Sequence, residues 1–269
     1  MNAAAEAGGW QEFVAPPEWR SIDFISDLHL AEDTLRTFEA WRDHLLNTRA
    51  DAVIILGDLF EAWVGDDARH EGFESRAAAT LIEASARRSI GFMVGNRDFL
   101  LGREMLDACG VLALPDPTVL TAFSARALLT HGDAWCLADV DYQQYRQQVR
   151  DPMWRSQVLA RPLDERRALA LSMRAQSAGK AAEHAGTQFD VDRTTALRWM
   201  AAADAPTLVH GHTHRPATES LAGGQSRHVL SDWDFDHGAA SGRAEVLRWS
   251  ANGWVRMTPA EATAAEPRT

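Results

Sequence analysis

Short, mostly apolar runs, each closed by a small polar cluster, set the rhythm of this chain. They lie at residues 22–25, 53–56, 90–94, 127–129 and 207–209. A strand covered on both faces reads as a continuous apolar run, so these segments predict buried strands. Between the first two, Asp33 is placed to cap a helix whose Leu35, Phe38, Trp41, Leu45 and Leu46 share one face. A second helix is predicted over 75–87, after a polar loop at 65–72. This βαβα alternation argues for a central sheet with helices packed on it. Residues 119–129 predict a hairpin turning at Ser124-Ala125. Short strands follow over 227–257, with turn signals at Gly238, Gly242 and Asn252-Gly253, so the sheet is mixed rather than purely parallel.

From about 137 to 190 the pattern becomes helical and basic. Arg146, Arg150, Arg155, Arg161, Arg166, Arg167, Arg174 and Lys180 alternate with Tyr142, Tyr145, Met153, Trp154, Val158 and Met173. Two readings stand: ordinary amphipathic helices on the core, or a basic and apolar lid beside a cleft. The chain has 269 residues, 46% of them hydrophobic, enough for one large domain with an insertion. Its bounds are read as 21–257, with the insertion at about 137–190 and unordered ends at 1–20 and 258–269. A net charge of −11 argues against a nucleic-acid partner. Cys109 and Cys136 fit reduced thiols, and no run approaches the roughly 20 apolar residues of a membrane span. No secretory signal is apparent at 1–9, so a cytoplasmic location is expected.

The polar clusters carry the chemistry. They read Ser26-Asp27-Leu28-His29, Gly57-Asp58, Gly95-Asn96-Arg97-Asp98, His131-Gly132-Asp133 and Gly211-His212-Thr213-His214. Each follows a predicted strand, and ligands of open α/β sheets gather at the strands' carboxyl ends. Asp27 and His29, two apart on extended chain, leave the same side and can grip one ion. Taken singly, each residue has a plainer reading: Asp58 a strand-end cap, His131 a core histidine, Arg97 a surface partner of Asp98. His210 shares the alternation of His212 and His214, so spacing does not choose between them. Seven candidates together reverse the balance: Asp27, His29, Asp58, Asn96, His131, His212 and His214. This oxygen and imidazole set without thiolates suits two Mn²⁺ or similar ions sharing Asp58. Such a pair, about 4 Å apart, supports in-line hydrolysis of a phosphoester or phosphoanhydride, with Arg97 placed to stabilise charge on a phosphoryl oxygen.

In this order the motifs resemble the calcineurin-like metallophosphoesterase family (D-x-H, G-D, G-N-[HR]-[DE], H-G-D, G-H-T-H). The resemblance implies an α/β, four-layer α/β/β/α sandwich with a helical lid and a dinuclear site. One ion would take Asp27, His29, Asp58 and His214, and the other Asp58, Asn96, His131 and His212. Longer stretches, from Gly57 through Asp67, Gly95 through Leu100 and Met173 through Ser177, resemble the branch of that family that acts on UDP-2,3-diacylglucosamine. That likeness implies water attack on the α-phosphorus, giving UMP and 2,3-diacylglucosamine 1-phosphate in lipid A biosynthesis. It further implies Arg97, Asp58, Asn96 and His131 as catalytic residues. Substrate contacts would come from Asn96, Arg97, Asp139, Tyr142, Arg174, Ser177, His184 and His212. Ala181 and His184 stand where relatives commonly show asparagine and lysine. A monomer at the cytoplasmic face of the inner membrane is the expected working form. A soluble phosphoesterase of nucleotides is the rival enzyme, and a catalytically dead lipid-binding module the rival of another class.

Overall fold

Every residue of Ala52–Leu56 (β3) is buried, because this strand is central in its sheet and covered on both faces. A computed structural model describes residues 9–183, 189–237 and 242–264, with backbone alone at 176–183. Around β3 lie Ser21–Ile25 (β2), Ser89–Met93 (β4), Leu112–Ala113 (β5), Val246–Ser250 (β11) and Gly253–Met257 (β12), in the order β12-β11-β2-β3-β4-β5. Strands β2 to β5 run parallel, whereas β11 and β12 add antiparallel to β2 and to each other. A second six-stranded sheet contains Gln11–Val14 (β1), Thr118–Ala122 (β6), Ala125–Thr130 (β7), Thr207–His210 (β8), Ala217–Ser220 (β9) and Ser226–Val229 (β10). Its order is β1-β6-β7-β8-β10-β9.

Side-chain alternation on these strands generates the layers. Val53 and Ile55 face a cluster with Trp41 and Leu45 of Leu35–Asn47 (α1), Leu81 of Gly72–Ser85 (α2) and Met105 of Arg103–Ala108 (α3). Ala52, Ile54 and Leu56 point the other way and meet Leu120, Leu129 and Val209 of the second sheet. The far face of that sheet sends Val119, Leu128 and Leu208 to a third cluster. Completing it are Trp199 and Met200 of Arg193–Ala202 (α7). Helices, sheet, sheet, helix: the fold is the expected α/β/β/α sandwich.

Three helices occupy the predicted insertion: Val140–Arg150 (α4), Pro152–Leu159 (α5) and Leu163–Glu183 (α6). Asp139 caps α4 and Asp151 caps α5, each accepting from a backbone N–H three residues on, at 3.1 and 2.8 Å. Arg166 pins α6 to the loop after β3 through the Asp67 carboxylate and the Val64 carbonyl.

Four local expectations need correction. The α1 N-cap is Thr34, not Asp33, and no side chain of its own caps it. Instead Asp236 accepts the N–H groups of Arg36 and Thr37 at 3.0 and 2.9 Å. The hairpin turns at Phe123-Ser124, both left-handed (φ 51° and 63°), which is the primed turn that suits strand twist. Part of the presumed loose amino end forms β1, paired in parallel with β6, and Phe13 and Trp19 pack on the inter-sheet core. Part of the presumed tail is a helix, Pro259–Thr263 (α8), held by a Thr258–Glu261 capping box and a buried Ala262.

Candidate metal centre

The ends of β2, β3, β4, β7 and β8 converge, so the five polar clusters meet where the two sheets present their carboxyl edges. The loops leaving these strands bend abruptly. Asp27, His29, Asp58, His212 and His214 all have φ between 49° and 66°. Left-handed backbone costs a residue with a β-carbon about 1 kcal/mol or more, and such positions cluster at functional sites. Close approach is the reason glycines flank them. A β-carbon on Gly95 would stand 2.1 Å from Asp58 Oδ1, and one on Gly211 2.3 Å from Asp27 Oδ2.

Asp27 is fully buried. Its Oδ2 accepts from the His212 N–H at 2.9 Å and from the Ser26 hydroxyl, whereas its Oδ1 is buried with no hydrogen-bond partner. That orphaned oxygen lies 3.3 Å from His214 Nε2, which is 3.2 Å from His29 Nε2. Asp58 Oδ1 accepts from the Arg97 N–H at 2.7 Å, and its Oδ2 is 3.7 Å from His131 Nε2. Within 4.8 Å of one another stand ligand atoms of Asp27, His29 and His214, and likewise of Asp27, Asp58 and His131. Asn96 Oδ1 lies 2.9 Å from His131 Nε2 and 2.7 Å from His212 Nδ1.

The tautomers make this arrangement cation-seeking. His131 Nδ1 is 2.8 Å from the Leu56 carbonyl, which fixes a proton there, and its Nε2 faces Asn96 Oδ1. Nε2 and Oδ1 at that distance need positive charge between them, either a proton or a bound cation. The electrostatics agree. Burial would lower His131, but the carboxylates of Asp58, Asp27 and Asp133 push it up to about 9. Burial would raise Asp27, yet the His214 contact and the charge of His131 and His29 hold it well below the usual carboxylate range. An unpartnered buried oxygen, paired imidazole nitrogens and a thiol-free donor set together fit divalent cations.

All seven proposed ligands therefore come together. The ambiguity over His210 resolves as well: its Nε2 accepts from Arg227 Nε at 2.9 Å and its Nδ1 faces the Gly211 carbonyl, so it turns away from the cleft. Burial, helped by Arg227, lowers it to about 3, keeping it neutral. Arg97 is not paired with Asp98. Asp98 is fully buried and accepts the N–H groups of Gly95 and Leu59 at 2.7 and 2.8 Å, tying two of the site's loops together.

Beside the cleft lies a cavity of about 430 Å³. Asn96, Arg97 and His212 line it next to the cleft, and Asp139, Tyr142 and Arg174 line it from the lid. Trp63, Phe99, Leu100, Trp154, Val158, Leu169 and Met173 make the remainder largely apolar. Ser177 lies on α6, where backbone alone is described, and His184 falls outside the described residues. Sequence reasoning missed Asp133 and Glu61. Asp133, fully buried, accepts from the Tyr142 hydroxyl at 2.6 Å and Arg146 Nε at 2.8 Å, which anchors α4 to the loop carrying His131. The visible signal was its place in the His-Gly-Asp cluster. Glu61 carried none beyond lying in the long stretch after Asp58.

Known proteins agree with this geometry. Residues 20–216 match the family model for calcineurin-like phosphoesterases. A UDP-2,3-diacylglucosamine hydrolase of Chromobacterium violaceum is 44% identical over 82% of this chain and 93% of its own length. Hydrolases of the same name from Bordetella pertussis and Xanthomonas oryzae pv. oryzae are 42% and 41% identical, over 79% and 86% of this chain and 85% and 95% of theirs. A calcineurin-like phosphoesterase implies a divalent metal centre, which the convergent ligand groups match. On motif order, fold and identity alike, the chain belongs to the calcineurin-like phosphoesterase family, beside the curated UDP-2,3-diacylglucosamine hydrolases it resembles.

Proposed function

We propose that this protein hydrolyses the pyrophosphate bond of UDP-2,3-diacylglucosamine, with water attacking the α-phosphorus and UMP and 2,3-diacylglucosamine 1-phosphate leaving. The observation that carries the reading is a largely apolar cavity whose lining includes Asn96 and His212 of the metal cleft together with Arg97 and Arg174. A diacylated sugar nucleotide needs both halves: a polar end for phosphates and a greasy chamber for acyl chains. The names of the relatives support the same substrate.

Asp27, His29, Asp58 and His214 would hold one ion, and Asp58, Asn96, His131 and His212 the other. Manganese suits this oxygen and nitrogen set. Bound divalent ions supply Lewis-acid charge to phosphoryl oxygens and acidify water. The chain's own part is positioning and charge. Arg97 and Arg174 offer planar forks that match phosphoryl oxygens. Tyr142, fixed by Asp133, packs its ring 5.5 Å from the His212 ring and closes the cavity over that ligand. Asp139 and Ser177 would contact the sugar and phosphate from the lid, with His184 nearby in sequence. Trp154, Leu169 and Met173 would take acyl chain, at about 0.8 kcal/mol per methylene withdrawn from water.

Among the described residues no helix is long and apolar enough to cross a membrane. Peripheral contact with the cytoplasmic face of the inner membrane, as a monomer, fits a lipid substrate. Val140, Met153 and Leu171 expose apolar surface on the lid helices, which suits an interface. The decisive experiment compares kcat/KM for UDP-2,3-diacylglucosamine and for UDP-glucosamine without acyl chains. A preference of more than about a hundredfold, worth three to four buried methylenes, is expected. Equal values would overturn the lipid substrate and leave a phosphoesterase of soluble nucleotides.

A further inference from the structure

Glu61 stands between the metal cleft and the lid, three residues past the Asp58 carboxylate, with only 16% of its side chain exposed. Its Oε2 lies 3.0 Å from His29 Nδ1, off the axis of a straight hydrogen bond but within ion-contact range. On the other oxygen, Arg174 Nε of α6 forms an ion pair at 3.0 Å, and Arg97 Nη1 stands 3.6 Å away. A carboxylate this enclosed is costly unless cations or N–H donors surround it. Here they arrive from three separate segments: the β2 loop, the β4 loop and the lid.

The three partners share a purpose. His29 turns Nε2 toward His214, so its Nδ1 must carry the proton if Nε2 is to offer a lone pair. A carboxylate behind a ligating imidazole sets that tautomer and ring angle. Arg97 and Arg174, both drawn to Glu61, would repel each other without an anion between them. We infer that Glu61 is a positioning residue for the hydrolysis proposed above: it fixes the His29 ring for its ion and holds the lid's Arg174 beside Arg97, so that lid closure and ion binding are read by one carboxylate. The inference rests on the two-ion reading of the cleft.

The test compares the full-length wild type with Glu61→Ala and Glu61→Gln. Mn²⁺ affinity is measured by titration calorimetry without substrate, kcat and KM with UDP-2,3-diacylglucosamine, and Tm by calorimetric scan. Glutamine keeps an oxygen for the His29 N–H but loses the charge that gathers the arginines. Glu61→Ala should weaken Mn²⁺ binding by about 10- to 100-fold and raise KM. Glu61→Gln should recover most of the Mn²⁺ affinity while KM stays high. Should the alanine variant fail to fold, the glutamine variant's split between metal affinity and KM carries the test alone. Wild-type affinity and wild-type KM in the glutamine variant, together with an alanine variant that binds Mn²⁺ normally, would overturn the role whatever happens to Tm. A wild-type chain that binds no Mn²⁺ would instead overturn the metal reading beneath it, so the two failures are distinguishable.

Discussion

Asp58 joins both halves of the cleft: it lies with Asp27 and His131 among the convergent ligand atoms, and its other oxygen holds the loop of Asn96 and Arg97 through a backbone N–H. Asp58→Ala is therefore expected to lose ion binding and turnover together. Arg97→Ala removes a guanidinium that touches no ligand atom of the site. It should keep ion binding intact while kcat falls about 10²- to 10³-fold, the usual cost of one donor aimed at developing charge. Metal titration alongside steady-state kinetics checks both, and near-normal turnover without Arg97 would refute its role. Residues of this kind were legible in the sequence because metal chemistry admits few side chains, and the motifs place them at strand ends. Glu61, Asp98 and Asp133 were not. A carboxylate that binds an arginine of another element, or backbone N–H groups across two loops, looks the same in sequence as one on a surface.

Strands were the most readable elements, since burial on both faces leaves an unbroken apolar run such as Ala52–Leu56. Helix ends were less so, for the cap of α1 comes from Asp236, about two hundred residues downstream. Asp236 also accepts from the Thr37 hydroxyl at 2.8 Å, so one carboxylate secures the first turn. Asp236→Ala should cost about 1–2 kcal/mol of stability, the usual worth of an N-cap, read from the urea midpoint at unchanged slope. A shift within error would show that the first turn of α1 holds without it. The lid helices show a related limit. Their basic character suggested an arginine-lined wall, yet Arg146 and Arg166 are engaged by Asp133 and Asp67 and fasten the lid, and of the two only Arg166 also lines the cavity.

At the scale of the molecule the four layers were implied by family resemblance, and the clusters on either side of each sheet bear them out. One consequence is a titratable group sealed in the outer core. His44 is fully buried against Trp233, and neither ring nitrogen makes a hydrogen bond. Burial lowers it from 6.5 to about 4; Asp23 opposes the shift, and Arg248 and Arg88 add to it. The unfolded chain thus takes up a proton near pH 6.5 that the folded protein refuses until about pH 4. Stability from this source is whole above the higher value and drains as pH falls toward the lower. His44→Phe, similar in shape and unable to titrate, should flatten the decline of Tm between pH 6.5 and 4. An identical slope in wild type and variant would remove His44 from the account.

The left-handed turns at Asp27, His29, Asp58, His212 and His214 set the fold and its chemistry at odds. Glycine would relax the backbone at each of these five places and abolish a candidate ligand in the same stroke. Backbone ease at these places is therefore to be had only with the loss of hydrolysis. Five polar side chains held in left-handed turns give the cleft its donors at the expense of the molecule's own repose.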